Sequence, residues 1–357
     1  MTCMVGRWKN LANPRNFAGI DTDHKRRRAM KRRSLITGAT GLAGALALRS
    51  AWGQGSHYPN KPIKVIVPHG AGSSPDVVAR LLCDQLRLAL GQPVIIDNRA
   101  GAGGLLGAKA AATLPADGYN LLFTVKGVMA IVPHLYPSAK YTPLKDFKSI
   151  AEVLTVPHII TANPKTPYNT LGEMVEYAKR NPGKIDYAST GVGSQPHVAL
   201  ESWARRLGIK LTHIPYKTNP SPDVMSGVAS IYLEAATTAI PSILGNRIKA
   251  LAVSGAERIP SLPNVPTITE FNAELDPNGV IGNSWHGFFT PVGTPDEVIN
   301  TLNTELIKIV KTDATQARLR SLGLTPTGTS GAMLSSKMTS DSAYWAKLID
   351  ELGIKIE

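Results

Sequence analysis

Cysteine is nearly absent from the 357 residues. Only Cys3 and Cys83 occur, which excludes a disulfide scaffold and a cysteine-built zinc or iron–sulfur centre. Long apolar runs are missing too: Leu35–Leu48 has fourteen residues, rich in Gly and Ala, against the roughly 20 that span a bilayer. Nothing like it recurs later, so an integral membrane protein is not expected. No H-E-x-x-H pair occurs, the eight histidines are scattered, and no carboxylates pair with them at helical spacing, so no metal is expected. There is no G-x-x-x-x-G-K-[ST] loop for a nucleotide and no G-x-S-x-G elbow for a nucleophilic serine.

Charge is present in quantity but unevenly placed. The formal charge of +13 suggests nucleic acid until its distribution is followed. Residues 1–53 hold eleven of the 39 Lys/Arg and two of the 26 Asp/Glu, so the rest of the chain is close to balance. No nucleic-acid partner is expected. The body of about 300 residues can bury one large core or two modest ones. A hydrophobic content of 43% with 32 Gly and 26 Pro fits a folded α/β protein rich in turns.

The leader reads as an export segment. Lys31-Arg32-Arg33 precedes the apolar stretch, and Ala51-Trp52-Gly53 offers small residues for cleavage. Arg32-Arg33-Ser34-Leu35-Ile36 resembles a twin-arginine signal, and equally an ordinary secretion signal with two adjacent arginines. Residues 1–29 fit neither, and Met30 would begin the signal cleanly. Residues 1–53 are therefore set aside from the fold.

Beyond the leader, Ile63–Val67 reads as a buried strand. Ser74 as cap, with Pro75 at the first helical position, opens a helix whose face is Val78, Leu82, Leu86 and Ala89. Strands at 93–97 and 119–125 flank a small-residue helix, which implies right-handed crossovers and a parallel sheet. Residues 131–150 read as a looser, Pro-punctuated stretch. A second series then runs from 157 to about 280, with a capping box at Thr170 and Glu173 and strands at 185–189, 209–214, 230–233 and 248–253. Trp285–Thr290 reads as one more strand. A capping box at Thr294 and Glu297 starts a helix, and two helices follow, near 314–322 and 330–350. The last region has too few strands for a domain of its own and should return to the first lobe.

Three loops, 68–76, 101–104 and 189–194, repeat one device. Each places Gly, joined by Ser in the first and third, at a helix start after a strand, where free N–H groups and the helix dipole suit a small anion, above all a carboxylate. Gly101-Ala102-Gly103-Gly104-Leu105-Leu106-Gly107 is not a dinucleotide fingerprint, because its third glycine falls one place late and it follows the second strand. Ser194 with His197 and Asp223 would be the candidates for a hydrolase triad, but a helix-capping serine is the commoner fate. No catalytic residue and no cofactor is assigned.

The order of motifs then carries a resemblance. Tyr58-Pro59-Asn60-Lys61-Pro62-Ile63, Val67-Pro68 and Asp76-Val77-Val78-Ala79-Arg80 form one block. Asp97 to Gly104, Pro115 to Tyr119, Pro182 to His197, His213 to Lys217, Arg258 to Thr267 and Trp285 to Pro295 follow in sequence. The chain resembles the Bug-type extracytoplasmic solute receptors of tripartite tricarboxylate transporters across essentially all of 58–357. That implies an α/β, two-lobe periplasmic binding protein of the type II Venus-flytrap kind, each lobe a sheet flanked by helices. Residues 54–156 and 281–357 would form lobe 1 and 157–280 lobe 2. It also implies a periplasmic, monomeric receptor that takes a small organic acid and hands it to a two-component membrane permease. A protein that signals its liganded state to a membrane kinase has the same sequence features.

The ligand-binding residues expected on this basis are Ser73, Ser74 and Asp76 from the first loop and Thr124, Val125 and Lys126 after the third strand. The second lobe adds Ser189, Thr190, Gly191, Gly193 and Ser194, with His197 one turn down as a ligand or a structural group, and Tyr216 and Glu234. The chain departs from the family pattern at His69 (usually aromatic), Ser73 (usually the second glycine of that loop) and Thr218 (usually glycine). It departs again in the stretch up to Gly227, about two residues short, and at Glu234 (usually aspartate). These departures leave generic carboxylate capture in place and the identity of the ligand open.

Overall fold

The computed structural model describes residues 58–136, 140–255, 257–276 and 281–354, so the leader at 1–53 lies outside the described residues. Two sheets organise the chain. The first has the order β11-β4-β10-β3-β1-β2, built from β1 (Ile63–Val67), β2 (Val94–Asn98), β3 (Asn120–Val125), β4 (Phe147–Val156), β10 (Ser284–Pro291) and β11 (Thr325–Ser330). The second has the order β7-β6-β8-β5-β9, from β5 (His158–Ala162), β6 (Asp186–Ser189), β7 (Thr212–Pro215), β8 (Ile231–Ala235) and β9 (Lys249–Val253). The chain is a two-lobe α/β protein, one lobe per sheet.

β1 pairs in parallel with β2 and β3, as the crossover argument requires. The helices α1 (Ser74–Leu90) and α2 (Leu105–Ala112) make the connections. The rest of the first sheet is antiparallel: β10 lies between β3 and β4, and β11 pairs with β4. This follows from the chain leaving for the second lobe after β4 and returning as β10. In the second sheet β6 runs parallel to β7 and β8, whereas β5 is antiparallel to β8 and β9. The helices there are α3 (Leu171–Arg180), α4 (Gln195–Leu207), α5 (Ser221–Ser226) and α6 (Ala236–Leu244). The chain ends with α7 (Asp296–Lys311), α8 (Asp313–Ser321), β11 and α9 (Gly331–Leu352).

Several local expectations are corrected. The cap of α1 is Ser73, not Ser74, and no side chain bonds the helix end there. Thr170 does cap α3 through Glu173 N, but the Glu173 carboxylate accepts from Asn169 N at 2.6 Å, one residue earlier than a capping box demands. The box expected at Thr294 is absent: Thr294 donates to Pro291 O and meets Thr290 Oγ1, so its hydroxyl closes the turn after β10 and Pro295 takes the cap position. β4 and β11 were not foreseen. Lys148, Ser149 and Glu152 break the apolar pattern of β4, and β11 (TPTGTS) has a loop's composition, tolerable because it is an edge strand.

The first sheet buries one face against α1 and α7, through Val65, Leu82, Phe123, Phe288 and Leu306, and the other against α2 and the start of α9, through Leu122, Trp285, Leu334 and Met338. The second half of α9 leaves that sheet. Trp345, Leu348 and Ile349 join Tyr187, Trp203 and Leu233 in the core of the second lobe. The chain passes between the sheets through Pro157 on one side and through Ser254–Asn283 on the other. Ser254 ties the two passages: its hydroxyl accepts from His158 N at 2.8 Å and donates to Gly282 O at 2.9 Å.

Candidate functional site

The loop after β1 is ordered by Asp76. Its carboxylate accepts from Gly72 N at 2.9 Å, from Arg80 Nε and Nη2 at 3.0 and 2.9 Å, and from Asn98 Nδ2 at 2.9 Å. Burial alone would raise its pKa, but these hydrogen bonds from Arg80, Gly72 and Asn98 outweigh it and hold the carboxyl below its ordinary value. Asp76 therefore shapes the loop from within. Ser73 Oγ is enclosed and without a partner, and the neighbouring Ser74 Oγ donates to Thr237 Oγ1 of the second lobe at 3.0 Å.

The loop after β6 is tied down in the same manner. Gly191 N donates to Ser189 Oγ at 3.2 Å, Gly193 N to His197 Nδ1 at 3.1 Å, and Ser194 N to Gly191 O at 3.1 Å. The three amides expected to face a ligand are thus used inside the loop. His197 is the acceptor that holds it, stacked on His213 at 4.1 Å, with Tyr187 next in the column. Burial, with the charge of His213 adding to it, lowers the His197 pKa to about 3, so Nδ1 is available as an acceptor. Ser189 Oγ meets His213 Nε2 at 2.6 Å and Gly191 O at 3.0 Å, which fixes the strand end. The serine–histidine contact thus involves Ser189, not Ser194. Ser194 Oγ is buried and unpaired. Thr190 is partly exposed at the same loop.

The two lobes bring these loops face to face. A Cβ placed on Gly103 would lie 3.9 Å from Val192 O, and one on Gly127 3.7 Å from Gln195 Cβ. Gly103 (φ 63°) and Gly104 (φ 100°) adopt left-handed backbone, and a Cβ on Gly104 would meet Val128 at 2.5 Å, so glycine is required for that turn. Thr124 at the end of β3 is fully buried with Oγ1 unpaired, and Val125 beside it is half-buried. Lys126 Nζ donates to Asn283 O and stands 5.6 Å from the Trp345 ring centroid. Burial lowers its pKa to about 8, and the charges of Asp341 and Asp276 partly oppose that shift. Gln195 Nε2 donates to the same Asn283 carbonyl at 2.9 Å and to Ile281 O at 3.0 Å, so one crossover is gripped from both lobes.

Two further residues sit deeper in the second lobe. Tyr216 packs against the small core of Ala188, Val224 and Tyr232 rather than standing free. Glu234 is completely buried: Oε2 accepts from Ser221 Oγ at 3.2 Å and Oε1 has no partner. Burial raises its pKa to about 7, against the hydrogen bonds of Thr238, Ser221 and Thr161. Sequence reasoning missed His69, His158 and His286, each of which has one enclosed ring nitrogen without a partner. Spacing along the chain gave no signal for them, because they lie on a loop and on strands of different sheets. A small apolar gap beneath Leu200, Trp203 and Ile268 belongs to the second lobe's core and offers an acid no polar group.

Buried hydroxyls of both lobes, Ser73, Thr124 and Ser194, are thus left without partners, and the glycine turn at 101–104 approaches the loop that carries Val192. The model of the tripartite tricarboxylate transporter family receptor matches residues 78–354. The chain belongs to this receptor family. BugT of Bordetella pertussis is 32% identical over 303 residues, covering 84% of this chain and 92% of that one. The solved structure of the periplasmic binding protein BugD is 31% identical with a TM-score of 0.78, covering 84% of this chain and all of BugD. MatC from Rhodopseudomonas palustris with bound malate is 27% identical with a TM-score of 0.76, covering 82% of this chain and all of MatC. The receptor is thus a Bug-type solute-binding protein, a class of transport receptors rather than enzymes. Receptors of this family are periplasmic and work with a membrane transporter. Among the described residues no helix is long and apolar enough to cross a membrane.

Proposed function

We propose that this receptor, exported by its N-terminal leader, captures a small carboxylate-bearing metabolite between its lobes and hands it to a two-component membrane permease. The observation that carries this is the set of unpaired hydroxyls, Ser73 and Thr124 from one lobe and Ser194 from the other. A buried polar group left without a partner costs about 1–3 kcal/mol, and an anion held between the lobes would satisfy all three. Lys126 adds a cation at the same strand ends, and the malate-bound relative supports an acid of this size. Asp76, Ser189, Gly191, Gly193 and His197 position the two loops in this reading. Val125 and Thr190 line the pocket, Tyr216 backs the second lobe, and Glu234 discriminates between ligands. The lobes are assigned to 54–156 with 281–357, and to 157–280. Ligand binding stabilises the closed form only through its higher affinity for that form.

A thermal-shift screen of the mature protein against malate, succinate, adipate, citrate, acidic amino acids and nicotinate tests the proposal. At least one acid should raise the melting temperature, and Ser73→Ala with Ser194→Ala should abolish the shift while the unliganded protein melts normally. Stabilisation by none of these acids would overturn it.

A further inference from the structure

Three imidazoles lie on or just beyond strands of the two sheets, and the proposed capture of a carboxylate makes no use of them. His69 follows β1 on the turn into α1. His158 opens β5 one residue after Pro157. His286 lies in β10, opposite Val125 and Leu154. His158 and His286 are 8% and 2% exposed. One ring nitrogen of each is enclosed without a partner: His69 Nε2, His158 Nδ1 and His286 Nδ1. The His286 ring stands edge-on to Phe123 at 5.7 Å. The three also sense one another. Burial holds His69 and His158 near pKa 4, and their charges add to burial in pushing His286 down further, while the charge of Lys126 adds to burial at His158. A ring nitrogen left without a partner on each of three enclosed imidazoles makes a poor packing solution, since apolar side chains of similar size would cost less.

We propose that His69, His158 and His286 form a proton-taking subsite of the ligand pocket, neutral when the receptor is empty and protonated when an acidic ligand is bound. This rests on the carboxylate reading above. The step is a proton transfer alone: one proton passes from solvent to a ring nitrogen, no bond to the ligand forms or breaks, and the imidazolium faces the anion. An opposite charge within a few ångströms raises a histidine by about one to three pK units, which carries His69 and His158 from near 4 into the range of roughly 5 to 7. Binding is then tighter at lower pH, because the complex holds a proton that the free receptor lacks.

The other charged groups around the cluster are accounted for. Lys126 stands beside His158, with Asp341, Asp276 and Lys337 acting on it from α9 and from the second crossover. Asp76 on α1 is held by Arg80 and Asn98. Glu234 of the second lobe could take up a proton in the same sense, since burial places it near 7, so the test must separate the two sources.

Calorimetric titration of the mature protein with malate, succinate and adipate, in buffers of different ionisation enthalpy at pH 5.5, 6.5 and 7.5, measures proton uptake directly. The expected result is uptake of about half a proton near pH 6, with affinity rising about threefold per pH unit lowered there. Uptake should fall sharply in His69→Phe and in His158→Phe, the two rings that burial holds near 4. Nitrogen-15 NMR of the wild-type histidines should show an imidazolium appearing on addition of malate or whichever acid binds, which decides the matter if the variants do not fold. Acid binding without proton uptake, or uptake kept in both His69→Phe and His158→Phe, overturns this inference and leaves the carboxylate reading intact. Failure of every acid to bind at all three pH values overturns both.

Discussion

Ser74 Oγ donates to Thr237 Oγ1 at 3.0 Å, joining the first turn of α1 in one lobe to the first turn of α6 in the other. Both residues are buried, at 7% and 5% exposure. The bond exists only while the lobes touch, so it favours the closed form without contributing to either lobe alone. Ser74→Ala and Thr237→Val should each weaken ligand binding by about two- to tenfold, the equivalent of one neutral hydrogen bond. Calorimetric affinities in a double-mutant cycle should be non-additive. Strictly additive losses would place the two hydroxyls in separate roles.

His197 acts as a fastener for the loop that carries Ser194. His197→Phe keeps a ring in the stack on His213 but leaves the buried Gly193 N–H unpaired. A stability loss of about 1–3 kcal/mol is expected in urea titrations, with weaker ligand binding. A variant as stable as wild type would remove His197 from this role.

Glu234 gives a pH signature. Its folded pKa of about 7 lies above the ordinary glutamate value of 4.5, so between these values the folded chain holds a proton that the unfolded chain releases. The stability it contributes is present below pH 4.5 and is lost as pH rises through 7. Glu234→Gln should match wild type near pH 4.5 and exceed it by up to about 3 kcal/mol at pH 8. Parallel stability profiles for the two proteins across this interval would refute the assignment.

Gly282 tests how tightly the second passage between the lobes is built. A Cβ there would lie 2.2 Å from Ser254 Cβ and 3.2 Å from Asp276 Oδ2, the atom that accepts from Gly282 N. Gly282→Ala should cost about 1–3 kcal/mol through overpacking. It should also disturb Ser254, which ties this segment to His158 at the other passage. Thermal denaturation and small-angle scattering with and without ligand would register both effects, and an unchanged melting temperature would contradict them.

Much of the fold was legible because it depends on local chemistry. The apolar run Ile63–Val67, the Pro75 helix start and the glycine turns at 101–104 each carry their own signal in a few adjacent residues. The continuous match from Pro182 to His197 placed the second-lobe loop correctly. β4 and β11 were illegible for the opposite reason: Lys148, Ser149, Glu152 and the TPTGTS segment become strands only because β10 supplies a partner to β4, and β4 to β11. Thr294 looked like a cap from its spacing, but a closer acceptor, Pro291 O, claimed its hydroxyl.

At the site, the sequence by itself determined which loops carry hydroxyls and glycines, because turn chemistry demands those residue types at strand-to-helix junctions. It could not say which donors remain available. Gly193 N and Ser194 N looked free until folding placed His197 Nδ1 and Gly191 O against them, while Ser194 Oγ and Thr124 Oγ1 were left open. Nor could it gather His69, His158 and His286, which come from separate elements of the two lobes. Hydrogen-bond satisfaction and electrostatic proximity depend on distances in space, and only the tertiary packing of the two sheets sets those distances.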